Sequence, residues 1–248
     1  MGAHRPREGN QKRGELAPRD TRDVESGPRD GSFHGRRKGR PLRAGQREAI
    51  ETVLPKLLID VSKEAPASLS ALFDVPTGEF RLEIGFGGGE HLLHVGRSNA
   101  GVGFIGVEPF ENGLAKAVTA ISREGMKNVR LYNQDAALLL DWLPDKSIAR
   151  IDLLFPDPWP KKRHWKRRFV SQANLDRFAR VLITDGEFRF ATDVESYAEW
   201  TREETFKHGA LKLVGESSEP WSDWPGTRYE AKAVRAGRGA RYFTFRKP

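Results

Sequence analysis

The sequence predicts an α/β fold: a doubly wound, mostly parallel sheet of seven strands with helices on both faces. Three observations carry this reading. Short apolar runs alternate with helical periodicity from residue 80 to the end of the chain. The first run, Phe80 to Ile84, opens directly into a glycine turn, Gly85-Phe86-Gly87-Gly88-Gly89. Acidic residues stand at or near the ends of four successive runs, at Glu83, Glu108, Asp135 and Asp157. Random placement would scatter them, whereas an open α/β sheet puts its ligand crevice at the carboxyl ends of its strands.

Composition bounds the function. The chain has 248 residues, enough for one large α/β domain with a full core. No apolar run is long enough to span a bilayer, and the arginine-rich start lacks the apolar centre of a secretory signal. Cysteine is absent, which excludes disulfides and thiolate metal sites and fits a reducing, cytoplasmic setting. The net charge is +8, yet residues 1–47 hold thirteen Lys or Arg against six Asp or Glu, a net of +7. The remainder holds twenty-nine against twenty-eight, so the body is nearly neutral apart from a local cluster. A polyanionic partner is the natural inference.

Residues 1–40 are rich in Gly, Pro, Arg and Asp and nearly free of large apolar side chains. Such a segment cannot bury enough surface to offset its ordering entropy, so it is expected to be a disordered basic tail. Residues 41–248 form the folded domain. Gln46 to Leu58 has a helical pattern that Pro55 ends or kinks, and Ser68 to Phe73 is a weak amphipathic piece. Phe80 to Ile84 is the first strand. The glycine turn leads into a helix through Leu92, Leu93 and Val95. Gly103 to Val107 is the second strand and Asn112 to Ile121 the crossover helix. Asn128 to Tyr132 and Ala136 to Trp142 form the next strand and helix. Ile151 to Phe155 is a fourth strand. Helix Gln172 to Leu182 and an Asp185-Gly186 turn lead to strand Glu187 to Ala191. Helix Glu195 to His208, strand Leu211 to Val214, a Trp-rich loop and strand Arg241 to Phe245 complete the chain.

The glycine turn is the first candidate site. Strand, glycine turn and helix cradle a phosphate or nucleoside at the start of a βα unit. The dinucleotide fingerprint needs glycine at the sixth position from Gly85, where Glu90 stands, so an NAD oxidoreductase is disfavoured. The pattern here is Glu83-x-Gly85-x-Gly87-x-Gly89. A carboxylate at that strand end suits a cationic ligand and would repel a pyrophosphate. Glu108 ends the second strand, where an acid can accept both ribose hydroxyls; the alternative is a helix-capping or surface glutamate, and the glycine turn upstream favours the ribose. Asp135 either reads an adenine amino group or caps the following helix, and the two roles are compatible. His91 and His94 lie three apart, but no third ligand stands at a telling spacing, so structural roles are favoured over metal. Neither a G-x-S-x-G elbow nor a Walker lysine is present.

The densest chemistry lies in Ile151 to Arg168. Asp157 sits in a rigid Pro156-Asp157-Pro158-Trp159-Pro160 run at a strand end. Six cations follow within eight residues: Lys161, Lys162, Arg163, Lys166, Arg167 and Arg168, with His164 and Trp165 among them. A cationic run with aromatics suits a phosphate backbone and stacked bases.

These residues together resemble the bacterial tRNA (guanine-N7)-methyltransferase family. The resemblance rests on Glu83 to Glu90, Gly106-Val107-Glu108, Asn133-Gln134-Asp135-Ala136 and the Pro156 to His164 run. Thr227-Arg228-Tyr229-Glu230 is similar to the family's C-terminal T-x-Y-E element. It extends from Ser32-Phe33 to the final strand. The resemblance implies a class I methyltransferase fold, Rossmann-like, with six parallel strands and the last antiparallel. It implies S-adenosylmethionine as cofactor, tRNA as partner and methylation of guanine N7, in the family at position 46 of the variable loop. By the same resemblance Glu83, Gly85, Gly87, Glu108, Asp135 and Asp157 bind cofactor, and Asp157 is catalytic. Lys161, Arg163, His164, Lys166, Arg167, Arg168, Asp193, Thr227, Arg228, Tyr229 and Glu230 match substrate-binding positions. Monomer and homodimer both remain open, and no metal is expected. The competing readings are an exocyclic-amine methyltransferase, which would want a second proline where Trp159 stands, and a noncatalytic RNA-binding protein that keeps the fold.

Overall fold

The computed structural model describes Met1 and residues 35–248; the tail expected over residues 1–40 lies mostly outside the described residues. Seven strands form one sheet in the order β3-β2-β1-β4-β5-β7-β6. They are β1 (Glu79–Ile84), β2 (Val102–Val107), β3 (Val129–Tyr132), β4 (Ile148–Leu154), β5 (Leu182–Thr192), β6 (Lys212–Ser217) and β7 (Arg241–Arg246). β1 pairs in parallel with β2 and β4, and β2 with β3. β7 runs antiparallel between β5 and β6, so six strands share one direction and the last opposes them. The strand order reverses between β1 and β4, which puts the ligand crevice at the carboxyl ends of those strands.

Eight α-helices stand among the described residues, the first two before β1 and one between each successive pair of strands: α1 (Ala44–Thr52), α2 (Leu54–Leu57), α3 (Glu90–Ser98), α4 (Glu111–Glu124), α5 (Ala136–Trp142), α6 (Gln172–Val181), α7 (Glu195–His208) and α8 (Arg228–Arg235). Alternation within the strands sends their side chains to two different covers. Leu82, Ile84, Ile151, Leu153, Phe188, Phe190, Phe243 and Phe245 pack in one cluster with Leu139, Phe178 and Tyr197 of α5, α6 and α7. On the other face, Phe104, Val129 and Leu131 pack with α1 to α4. Beyond β1 that second face changes character. Arg150 and Asp152 on β4 are buried and bonded to each other, Nε to Oδ2 at 3.0 Å. Their cover is a stretch without helix or strand before α8, bearing Trp221 and Trp224. No helix among the described residues is long and apolar enough to cross a membrane.

Three local readings change. β5 begins at Leu182, because Asp185-Gly186 lies inside the strand: Asp185 takes a positive φ of 60° and the register with β4 slips there. β4 begins three residues earlier than its apolar run, since a charged residue inside a strand does not end the ladder. α8 occupies residues that the sequence reading left without an element. Thr227-x-x-Glu230 is a capping signature, and Thr227 Oγ1 accepts the Glu230 N–H at 3.2 Å.

Candidate functional site

The glycine turn is built for close approach. Gly85, Gly87 and Gly89 have φ of 75°, 58° and 82°, a left-handed conformation that disfavours side chains. The Gly85 N–H donates to Val107 O at 2.8 Å, tying the turn to the end of β2. A Cβ built on Gly85 would meet nothing within 4 Å, so this side of the turn is open. A Cβ on Gly113, in the first turn of α4, would strike the Gly87 carbonyl, so α4 begins directly against the turn.

Glu108 joins these pieces. One oxygen accepts the Gly87 N–H at 2.7 Å and the other the Phe110 N–H at 2.8 Å. Burial pushes its carboxyl up to about 7, against the opposing pull of those two amides; Arg228 draws it down and Asp157 raises it further. Arg228 and Asp157 both lie near enough to act electrostatically on Glu108, so the end of β2, the Asp157 turn and the start of α8 are neighbours. Glu83 points to the same side, away from Leu82 and Ile84, and its Oε2 meets His91 Nδ1 at 2.8 Å. Burial lowers the His91 imidazole, but Glu83 more than offsets this, and the net shift is upward. Asp135 caps α5, accepting the Ala137 N–H at 3.0 Å. Beside it, the buried Tyr132 hydroxyl has no hydrogen-bond partner among the described residues.

The Pro156 to Pro160 segment leaves β4 sharply. Phe155 and Trp159 have positive φ of 50° and 44°, uncommon for aromatic residues. Such geometry persists only where surroundings over-determine it. Arg168 is one of those surroundings. Its Nε donates to Pro158 O at 3.0 Å and its Nη1 to Ser196 O at 2.7 Å, in the first turn of α7. The guanidinium lies 4.4 Å from the Trp165 ring centroid and 4.7 Å from that of Tyr197. Arg168 is therefore buried and corrects the sequence reading, which grouped it with the RNA-facing cations. The segment Lys162–Arg167 is a 3-10 helix, where positions three apart eclipse, so Trp165 and Arg168 share its inner side. Asp157, Lys161, Arg163 and Lys166 are exposed. Arg167 lies over the Trp159 ring at 4.9 Å, and the His164 ring meets that ring edge-on at 5.9 Å. Partial desolvation and the cations at 161, 163, 166 and 167 hold the His164 imidazole below its ordinary range.

The C-terminal residues reach the start of α3 and the end of β5. Arg228 Nε lies 3.6 Å from Glu90 Oε1, at the start of α3. The Glu230 carboxylate receives the Trp224 Nε1–H at 2.6 Å and the Tyr242 hydroxyl, so it braces these residues from within. Asp193, just after β5, pairs with Arg238 at 2.8 Å. Tyr229 lies in the first turn of α8. The sequence reading missed His91 as the partner of Glu83 and missed Asp223, which pairs with Arg150 and Arg189. A histidine eight residues after a strand-end acid, just inside the helix after a glycine turn, was the available signal for the former.

Residues 78–242 match a family described as "Putative methyltransferase". The tRNA (guanine-N(7)-)-methyltransferase of Chelativorans sp. (strain BNC1) is 59% identical over 218 residues, covering 86% of this chain and 94% of that one. The protein of that name from Brucella melitensis biotype 1 is 54% identical over 219 residues, covering 87% and 94%. Among solved structures, the 16S rRNA methyltransferase KamB aligns with a TM-score of 0.58 at 16% identity, over 75% of this chain and 95% of that one. The cyclase SpnF aligns at 0.50 and 16%, over 72% and 78%. A cyclase among the neighbours means the fold does not fix the reaction. The high-identity relatives do narrow it, and this chain belongs to the tRNA (guanine-N(7)-)-methyltransferase family.

Proposed function

We propose that this chain methylates N7 of the guanosine at position 46, in the variable loop of tRNA, with Asp157 beside the reacting base. It is an S-adenosylmethionine-dependent methyltransferase acting on guanine N7 in tRNA. That substrate puts its work in the cytoplasm. The observation that supports the site assignment is the shared edge: carboxylates at the ends of β1 to β4, with an exposed cationic turn directly beyond.

The residues present suit the cofactor. The open side of Gly85 admits close approach. Each Glu108 oxygen uses one lone pair on an amide and keeps another for a ribose hydroxyl. Glu83 Oε1 remains for an amino group, and the Tyr132 hydroxyl and Asp135 lie at the β3 end where the base would sit. When bound, the sulfonium supplies an electrophilic methyl carbon.

Guanine N7 carries an in-plane lone pair and no proton. Bond formation there needs no base, and positive charge passes to the purine. The protein's contribution is orientation, which supplies up to about 7–11 kcal/mol in favourable cases. Asp157 is exposed at the end of β4 and offers a carboxylate to the developing charge or to guanine N1–H and its amino group. Lys161, Arg163 and Lys166 neutralise phosphates, beside an aromatic surface in which Arg167 lies over the Trp159 ring and His164 meets its edge.

Labelled cofactor, bulk tRNA and nucleoside analysis test this. The expected product is 7-methylguanosine in the variable loop. A methylated exocyclic amine, or label elsewhere in the tRNA, would reject the reading. Asp157→Asn is expected to lower kcat at saturating cofactor and tRNA, and full turnover would remove Asp157 from the mechanism.

A further inference from the structure

We infer that Asp223 is a positioning residue for methyl transfer: clamped between Arg150 of β4 and Arg189 of β5, it holds residues 224–230 against the His91–Glu83 pair. The inference rests on the function proposed above.

Residues 218–227 form no helix or strand, and their own backbone orders little beyond one turn, closed by the Trp224 N–H on Trp221 O at 2.9 Å. Fixing each backbone residue costs about 1–2 kcal/mol, and such a segment stays put only where side chains anchor it. Asp223 is the charged anchor. Its Oδ2 lies 3.0 Å from Arg150 Nη1, and its Oδ1 lies 2.8 Å from Arg189 Nη1. Asp152, at 3.0 Å from Arg150 Nε, occupies the other side of the same guanidinium. Arg150 is buried, so its orientation is fixed by the sheet rather than by solvent. Arg189 also stacks on the Trp221 ring at 5.1 Å, and Trp221 Nε1 donates to Thr244 Oγ1 on β7 at 2.9 Å.

What this clamp positions lies one residue further on. The Trp224 ring packs on the His91 ring at 5.3 Å, and His91 is the hydrogen-bond partner of Glu83. Trp224 also contacts Phe155, the strained residue two before Asp157. Its indole N–H braces Glu230, and Arg228 reaches Glu90 at the head of α3. The segment therefore touches the partner of the cofactor-side acid, the residue that opens the Asp157 turn and the head of the helix after the glycine turn. Released from Asp223, it would keep its composition and lose its register over all three.

The test measures steady-state kinetics of Asp223→Asn, Asp223→Ala and Asp223→Glu beside the wild type. Misplacing a catalytic wall by about 1 Å costs on the order of a hundredfold. Asp223→Asn and Asp223→Ala are expected to lose about ten- to a hundredfold in kcat, with KM for tRNA rising by a smaller factor because Thr227 to Glu230 lie on the same segment. Asp223→Glu, which can still bridge two arginines, is expected to recover most of kcat. Asp223→Asn combined with Arg189→Gln is expected to be little worse than either alone, since both open one clamp. Trypsin cleavage after Arg228 and Lys232 gives a readout independent of turnover: slow in the wild type, fast in Asp223→Asn. Unchanged kcat in Asp223→Asn, or a Glu variant no better than Ala, would overturn the inference. Wild-type protein that makes no 7-methylguanosine would sink the proposed function instead. Equal cleavage rates in wild type and Asp223→Asn would then sink the clamp as well.

Discussion

The two faces of the sheet at β4, β5 and β7 are held by different forces. One face presents Ile151, Leu153, Phe188, Phe190, Phe243 and Phe245, all fully buried beneath α6 and α7. The other presents Arg150, Asp152 and Arg189 beneath a segment without regular structure. Apolar packing is non-directional: it rewards area removed from water and tolerates any helix of the right shape. Paired charges are directional, and a fork of guanidinium donors accepts a carboxylate in few orientations. The apolar face therefore supplies stability, while the charged face fixes where a loop sits. The site lies on the second.

The largest expected effect breaks the first face. Phe188 packs on Phe178 at 4.8 Å and stacks on Phe245 at 5.5 Å. Phe188→Ala should cost about 3–5 kcal/mol, read by denaturant unfolding, with kcat retained at a temperature where the variant is folded. A loss of kcat in folded protein would mean the faces are not separable. The charged face answers differently. Arg150→Met leaves buried Asp152 without its partner and should cost about 3 kcal/mol or more. Arg150→Met with Asp152→Leu replaces the pair by apolar groups and should recover most of that stability. It should not recover kcat, because Asp223 keeps only one of its two arginines. Recovery of both would show that the charges serve stability alone.

The same contrast explains what the sequence discloses. Local periodicity made the apolar face legible: strands and helices from residue 79 to 142 stand within a few residues of their expected limits. The glycine turn and the acids at strand ends were legible because each is a short pattern joined to its strand. Asp223 was not, since its partners lie 34 and 73 residues away and no period links them. Arg168 was hidden by its neighbours. A run of six cations reads as one surface, yet the 3-10 turn rotates its last member inward beside Trp165. The capping pattern at Thr227 was present in the sequence, but Glu230 turns to Trp224 and Tyr242 instead of completing the box, so the motif carries a helix start and a wall brace together.

A smaller effect probes the cofactor side. Glu108 rises from the ordinary 4.5 to about 7 in the fold. The folded chain thus holds a proton there between those values that the unfolded chain has released. Stability without cofactor should fall as pH rises through that window and level off above it; Glu108→Gln should lack this fall. Ribose hydroxyls need the ionised form as acceptor. Cofactor affinity should therefore be about tenfold weaker at pH 6 than at pH 8, by calorimetry, and nearly flat in Glu108→Gln, though weaker throughout. A wild-type affinity independent of pH would detach Glu108 from the ribose.

The smallest effect separates two members of one cationic run. Lys166 is exposed and Arg168 buried, only two residues apart. If Lys166 meets a phosphate, Lys166→Gln should lower the slope of log affinity for tRNA against log salt by about 0.9, with thermal stability unchanged. Arg168→Gln should do the reverse. Its guanidinium holds Pro158 and Ser196 and meets no phosphate, so the salt slope should stay at the wild-type value while the melting temperature falls. Charge counted from the sequence treats these two substitutions as equal. Equal salt slopes in the two variants would mean that Arg168 turns outward when RNA binds, and that the Pro156 to Pro160 turn is remade in the complex.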